Sequence, residues 1–75
     1  MSRLPTLSAR KVIKALERGG FYVDHATGSH YRLKHQDDPT RTTVVPFHTG
    51  DIKRPLLRAI LDQAGLTTDE FLALL

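Results

Sequence analysis

From Ser8 onward the chain sets apolar residues at Ala9, Val12, Ile13 and Leu16, the i, i+3, i+4, i+7 spacing of one helical face. Arg10, Lys11, Lys14 and Arg18 fall largely on the opposite side. Ser8, behind the turn-prone Pro5-Thr6, suits the N-cap, and Gly19-Gly20 supplies a left-handed stop. The period then changes from helical to two. Phe21 to His25 reads as a strand with Phe21 and Val23 on one face and Tyr22 and Asp24 on the other. Ala26-Thr27-Gly28 turns the chain into a second strand over about Ser29–His35, which Gln36-Asp37-Asp38-Pro39 ends. Arg41 to Phe47, rich in Thr and Val, is a third strand whose Pro46 belongs near its end or on an unpaired edge.

Beyond the loop His48-Thr49-Gly50-Asp51, Pro55 fits the first turn of a helix with Leu57, Ile60, Leu61 and Ala64 on its apolar face and Gly65 at its end. Thr67 and Glu70 form a capping box before a short apolar helix that holds Phe71, Leu72, Leu74 and Leu75. Some of these must dock on the first helix or on Leu57 and Leu61. The order α-β-β-β-α-α predicts an α+β fold: a three-stranded antiparallel meander with helices on one face and the other face open. If Tyr31 and Leu33 point to the helices, His30, Arg32 and Lys34 stand together on the open face.

A chain of 75 residues is expected to make a single domain spanning 1–75, near the lower limit for a self-sufficient core. It has no cysteine, so neither a disulfide nor a thiolate metal site can help, and packing must carry the stability. No apolar run is long enough to span a bilayer, and the expected location is the cytoplasm. The net charge of +3 conceals an asymmetry. Residues 1–58 hold all eleven Lys and Arg against five acids, +6, whereas residues 59–75 hold three acids and no Lys or Arg, −3. A basic body of this kind makes nucleic acid the first partner to consider.

The four histidines decide how far that goes. His25, His30 and His35 are five residues apart, an odd spacing that turns neighbours on a regular strand to opposite faces, and no cysteine completes a zinc set. No metal site and no cofactor is expected, and His25 and His35 read as surface side chains, with His35 in reach of a hydrogen bond to the turn that follows it. His30 differs because Gly28-Ser29 lets the backbone turn tightly and Arg32 and Lys34 share its face. An imidazole titrates near neutrality, and flanking cations hold phosphate and offset developing charge. His30 is therefore the candidate general base, removing a proton from a ribose 2′-hydroxyl that attacks the adjacent phosphorus. The proton donor to the leaving 5′-oxygen stays open between His48, Lys34 and water. Ser29, Arg32, Lys34, Lys53 and Arg54 are candidate phosphate ligands. The last two oppose the dipole at a helix start, a placement that a docked anion would explain.

These blocks together resemble the HicA family of small toxins, the ribonuclease members of HicA–HicB toxin–antitoxin pairs. The likeness rests on Val12-Ile13-Lys14-Ala15-Leu16 with Gly19-Gly20-Phe21, on Gly28-Ser29-His30 and Arg32 through His35, and on Val45-Pro46-Phe47-His48. Leu57 through Leu66 and Asp69-Glu70-Phe71 continue it, in order, over residues 9–75. The resemblance implies a double-stranded-RNA-binding-domain-like fold, metal-free cleavage of messenger RNA with His30 as the catalytic histidine, and a HicB-like antitoxin that covers that face. The toxin alone is expected to be monomeric and to form a hetero-oligomer with the antitoxin. One departure is Pro55-Leu56-Leu57, where the family often begins its second helix with Gly-Thr-Leu; Lys53-Arg54 are expected to substitute for the backbone contacts made there. The alternative is a non-catalytic RNA-binding module of the same shape, reading phosphates and 2′-hydroxyls. A purely structural partner-binding domain comes third.

Overall fold

Ser8 both ends a short strand, β1 (Leu7–Ser8), and caps the helix α1 (Ala9–Arg18), its hydroxyl accepting the Lys11 backbone N–H at 3.2 Å. The computed structural model describes residues 3–75, so the first two positions of the expected 1–75 span lie outside the described residues. Ala9, Val12, Ile13, Ala15 and Leu16 are the buried face of α1, as their spacing requires. The helix stops at the glycine pair, but the left-handed residue is the second. Gly19 has φ −87°, whereas Gly20 has φ 96°. A side chain on Gly20 would also collide with the His35 ring, since its Cβ would lie 2.8 Å from Nε2.

Three strands follow, β2 (Phe21–Thr27), β3 (His30–His35) and β4 (Thr42–Pro46), paired antiparallel in the order β2-β3-β4. This is the expected meander with its first turn displaced. The β2 strand runs two residues past His25, and the chain reverses over Gly28-Ser29 alone. A two-residue strand, β5 (Asp51–Ile52), then pairs antiparallel with β1, and neither was legible, because two residues cannot display an alternation. The helices α2 (Arg54–Ala64) and α3 (Thr68–Leu72) close the chain. Pro55 lies in the first turn of α2, and Gly65 ends it in the left-handed conformation, φ 74°. Thr67 and Glu70 make the reciprocal capping box, which holds the Glu70 carboxyl below the usual carboxylate range.

The α1 and α2 helices pack on one face of the sheet, so the core lies between Val12, Ala15 and Leu16 of α1, Leu57, Ile60 and Leu61 of α2, and Phe21, Leu33 and Val45 of the strands. Phe71 is fully buried in the same cluster, which answers where the terminal helix docks. Leu74 packs at its edge, and Leu75 stays exposed. The Arg18 guanidinium donates to the Leu74 carbonyl at 2.9 Å and pins the C-terminal segment to the end of α1. Thr43 is the one buried polar residue among those described, and its hydroxyl bonds the Ile60 carbonyl of α2 at 2.9 Å. Arg41 donates to the Ala64 carbonyl at 2.8 Å, satisfying the other end of that helix. These anchors leave no buried side-chain polar atom unpaired among the described residues.

Candidate active site on the open sheet face

His30 owes its position to the hairpin behind it. Thr27 pairs with His30, so Gly28 and Ser29 are the two central residues of the turn. Gly28 has φ 58°, and no other residue in the turn has positive φ, the pattern of a type II′ turn with glycine first. A residue with a Cβ is strained there, although open space surrounds the position. The Phe47 N–H donates to the Ser29 carbonyl and continues the β3–β4 ladder to the very start of the strand. His30 is thus the first residue of the central strand, braced by a neighbour on each side.

Alternation along β3 puts Leu33 fully into the core and leaves His30 and Arg32 exposed, with Lys34 half-buried, as their parity predicts. Their cross-strand partners are Thr27, His25 and Tyr22 on β2 and Pro46, Val44 and Thr42 on β4. The middle of this face is a shallow hollow of about 340 Å³ lined by His25, Thr27, His30, Arg32 and Val44. Arg32 makes no ion pair among the described residues, so its guanidinium is available to an anion beside His30.

A bulge in β2 brings the second histidine there. Regular alternation from Phe21 and Val23 would turn His25 toward the helices. Instead the register shifts between Val23 and His25, and His25 pairs with Arg32. An extra residue on one strand of a pair re-aims the side chains after it. Asp24 and His25 consequently share the open face, where the Asp24 carboxylate bonds His25 Nδ1 at 2.9 Å and lies 3.7 Å from Lys34 Nζ. The hydrogen bond from His25, and then the Lys34 charge, hold the Asp24 carboxyl below its ordinary range. The odd spacing of His25 and His30 therefore does not separate them, contrary to the reading for a regular strand. The sequence carried one signal of this: a histidine, His25, stands where the apolar alternation of Phe21 and Val23 should have continued.

The other candidates are distributed differently. His35 faces the helices, edge-on to Phe21 with ring centroids 5.0 Å apart. Its Nδ1 accepts the Asp37 N–H at 3.1 Å, and its Nε2 bonds the Gly19 carbonyl at 3.1 Å, so it ties the strand to both neighbouring turns. It is a half-buried strut rather than a plain surface side chain. His48 and Lys53 border a separate hollow of about 430 Å³ whose wall includes Pro46, the cross-strand partner of His30. Arg54 is engaged elsewhere: its Nε donates to the Leu4 carbonyl and ties the N-terminal segment to α2. That bond explains a cation at the helix start without any anion. Among the described residues, no three His, Asp or Glu side chains converge as metal ligands do.

A small α+β domain with one helix-covered sheet face and one open face bearing histidine and arginine defines the class to which this chain belongs. Within that class the particular family is known: the family model for the HicA toxin of bacterial toxin-antitoxin matches residues 9–66. The chain belongs to the HicA toxin family and is the toxin member of a toxin–antitoxin pair, so an antitoxin is its partner. No curated protein matches it significantly. The match ends before α3, although Phe71 of that helix is part of the core. No helix among the described residues is long and apolar enough to cross a membrane.

Proposed function

We propose that this toxin is a metal-independent endoribonuclease that cleaves messenger RNA, with His30 as the general base. The observation that carries the reading is the exposed imidazole at the head of the central strand, in one hollow with the unpaired Arg32 guanidinium. His30 takes the proton of a ribose 2′-hydroxyl, the 2′-oxygen attacks the adjacent phosphorus, and the bond to the 5′-oxygen breaks. The products are a 2′,3′-cyclic phosphate and a 5′-hydroxyl. Arg32 holds the phosphate and offsets the charge that grows on its oxygens. Ser29, Lys34 and Lys53 extend the contact surface along the flanks, while Arg54 is committed to Leu4.

RNA carrying a 2′-O-methyl group at the cut site is expected to resist cleavage completely, and unmodified RNA to be cut at an undiminished rate in EDTA. Gel analysis of the two substrates, with the 2′,3′-cyclic end identified by mass spectrometry, checks both. Cutting of the methylated RNA, or loss of activity in EDTA restored by magnesium, would overturn the mechanism. RNA binding without cleavage of either substrate would favour the non-catalytic module.

A HicB-like antitoxin is proposed to inhibit by covering the open face, meeting its cations with an acidic surface. Antitoxin at saturation should abolish RNA binding and shield the His30 imidazole from diethyl pyrocarbonate. Backbone hydrogen exchange is the poorer probe, because β3 is the central strand and its amides are already paired on both sides. A ternary complex that binds RNA at full affinity would instead indicate inhibition at a distance.

A further inference from the structure

The His30 reading leaves one proton unaccounted for: the 5′-oxygen must be protonated as it departs. We infer that His25, held by Asp24 on the β2 bulge, is the general acid that supplies it. This deepens the proposal for His30 and rests on it.

Three features of the open face support the assignment. First, His25 and His30 line the same hollow, and Arg32 neighbours both, as the direct cross-strand partner of His25 and two residues along β3 from His30. Side chains diagonal to each other across an antiparallel pair lie roughly 7–8 Å apart, still within reach of long or aromatic groups. A phosphodiester held on Arg32 therefore lies within reach of both imidazoles, one for each of the two proton transfers. Second, the 2.9 Å bond to Asp24 Oδ2 uses Nδ1 and orients the ring. No hydrogen bond among the described residues engages Nε2, which is left to meet the substrate. A carboxylate that fixes one ring nitrogen so that the other can transfer a proton is a recurring arrangement in acid–base catalysis. Third, the other donors considered from sequence are less well placed. Lys34 is drawn to the same Asp24 carboxylate at 3.7 Å, and His48 borders the hollow beyond Pro46 rather than the one holding His30.

The step balances without a further reactant. Neutral His30 gains the 2′-hydroxyl proton as the 2′-oxygen–phosphorus bond forms. The protonated His25 ring gives its Nε2 proton to the 5′-oxygen as the phosphorus–oxygen bond breaks. Exchange with solvent then returns both rings to their starting states.

A substrate whose leaving atom needs no proton isolates this role. At the mapped cut site the bridging 5′-oxygen is replaced by sulfur. A thiol, with a pKa of about 8.5, is far more acidic than water or an alcohol, so a thiolate leaves without an acid. His25→Ala should lose roughly 10²–10⁴-fold in the rate constant on ordinary RNA, the usual range for a proton-transfer group, and regain nearly wild-type rate on the sulfur substrate. His25→Gln, which keeps a hydrogen-bonding amide but cannot transfer a proton, should behave the same way. Asp24→Asn, which disturbs only the positioning, should show a smaller loss that sulfur likewise repairs. His30→Ala should stay inactive on both substrates, because a better leaving group does not replace a base. If the His25 variants cut RNA at the wild-type rate, or lose equally on both substrates, the general-acid role is wrong while the base reading stands. If His30→Ala keeps full activity and the His25 variants are rescued by sulfur, His25 is the acid and the base lies elsewhere. A wild-type protein that cuts neither substrate removes both proposals.

Discussion

Replacing His30 with alanine is expected to abolish RNA cleavage and growth arrest while the domain stays folded and still binds RNA. The side chain is exposed and makes no hydrogen bond among the described residues, so its removal should change stability by no more than about 0.5 kcal/mol. Loss of a general base costs on the order of 10²–10⁴ in rate, enough to relieve growth arrest under the proposed cleavage mechanism. Arg32→Ala serves as the complement. It should weaken RNA binding across sequences and lower the slope of log affinity against log salt by roughly 0.7, the share of one phosphate on a single strand. Cleavage assays on purified proteins, circular dichroism and binding titrations at several salt concentrations separate the two effects. A His30→Ala protein that cleaves at the wild-type rate would refute the assignment. An Arg32 variant with altered sequence choice and an unchanged salt slope would point to base recognition instead.

The second large effect is expected at the far end of the chain. Phe71 is fully buried although it lies beyond the residues that match the family. Phe71→Ala should cost about 3–5 kcal/mol, from lost apolar burial and the cavity left behind. In a domain of this size each kcal/mol moves the melting temperature by about 4–8 °C, so the midpoint should fall by well over 10 °C. That is a large part of the roughly 5–15 kcal/mol that holds a typical domain together. Thermal unfolding followed by circular dichroism measures it. A shift of only a few degrees would mean that α3 is not part of the cooperative core. Leu75→Ala, at the exposed end of the same segment, is the contrast and should change the midpoint little.

Much of this architecture was legible in the chain because the signals are local. Ser8 and Thr67 cap helices by hydrogen bonds three residues away, and Pro55 and Gly65 bracket α2 through their own backbone preferences. Parity along one strand was enough to put His30, Arg32 and Lys34 opposite Leu33, since no irregularity interrupts β3. The glycine that turns the hairpin was recognised as well, although it was expected to follow Ala26 and Thr27 rather than to open a two-residue loop. The tighter turn carries β2 on to Thr27 and so gives His30 a partner.

Pairing between distant segments decided the rest. Arg54 meets Leu4 across fifty positions, a bond that helix-end electrostatics could not reveal and that removes the need for an anion there. The β1–β5 pair joins two dipeptides that carry no strand pattern of their own. His35 acquires its role only when Gly19 and Phe21 fold against it. Most consequential is the bulge at Asp24-His25. A strand's faces are fixed by counting residues, and one residue inserted relative to the neighbouring strand reverses the count for everything beyond it. Local sequence determines each strand's own alternation, but a register shift is a property of two strands together. For that reason the chain alone placed His30, Arg32 and Lys34 on one face, whereas the folded sheet was needed to bring His25 and Asp24 beside them.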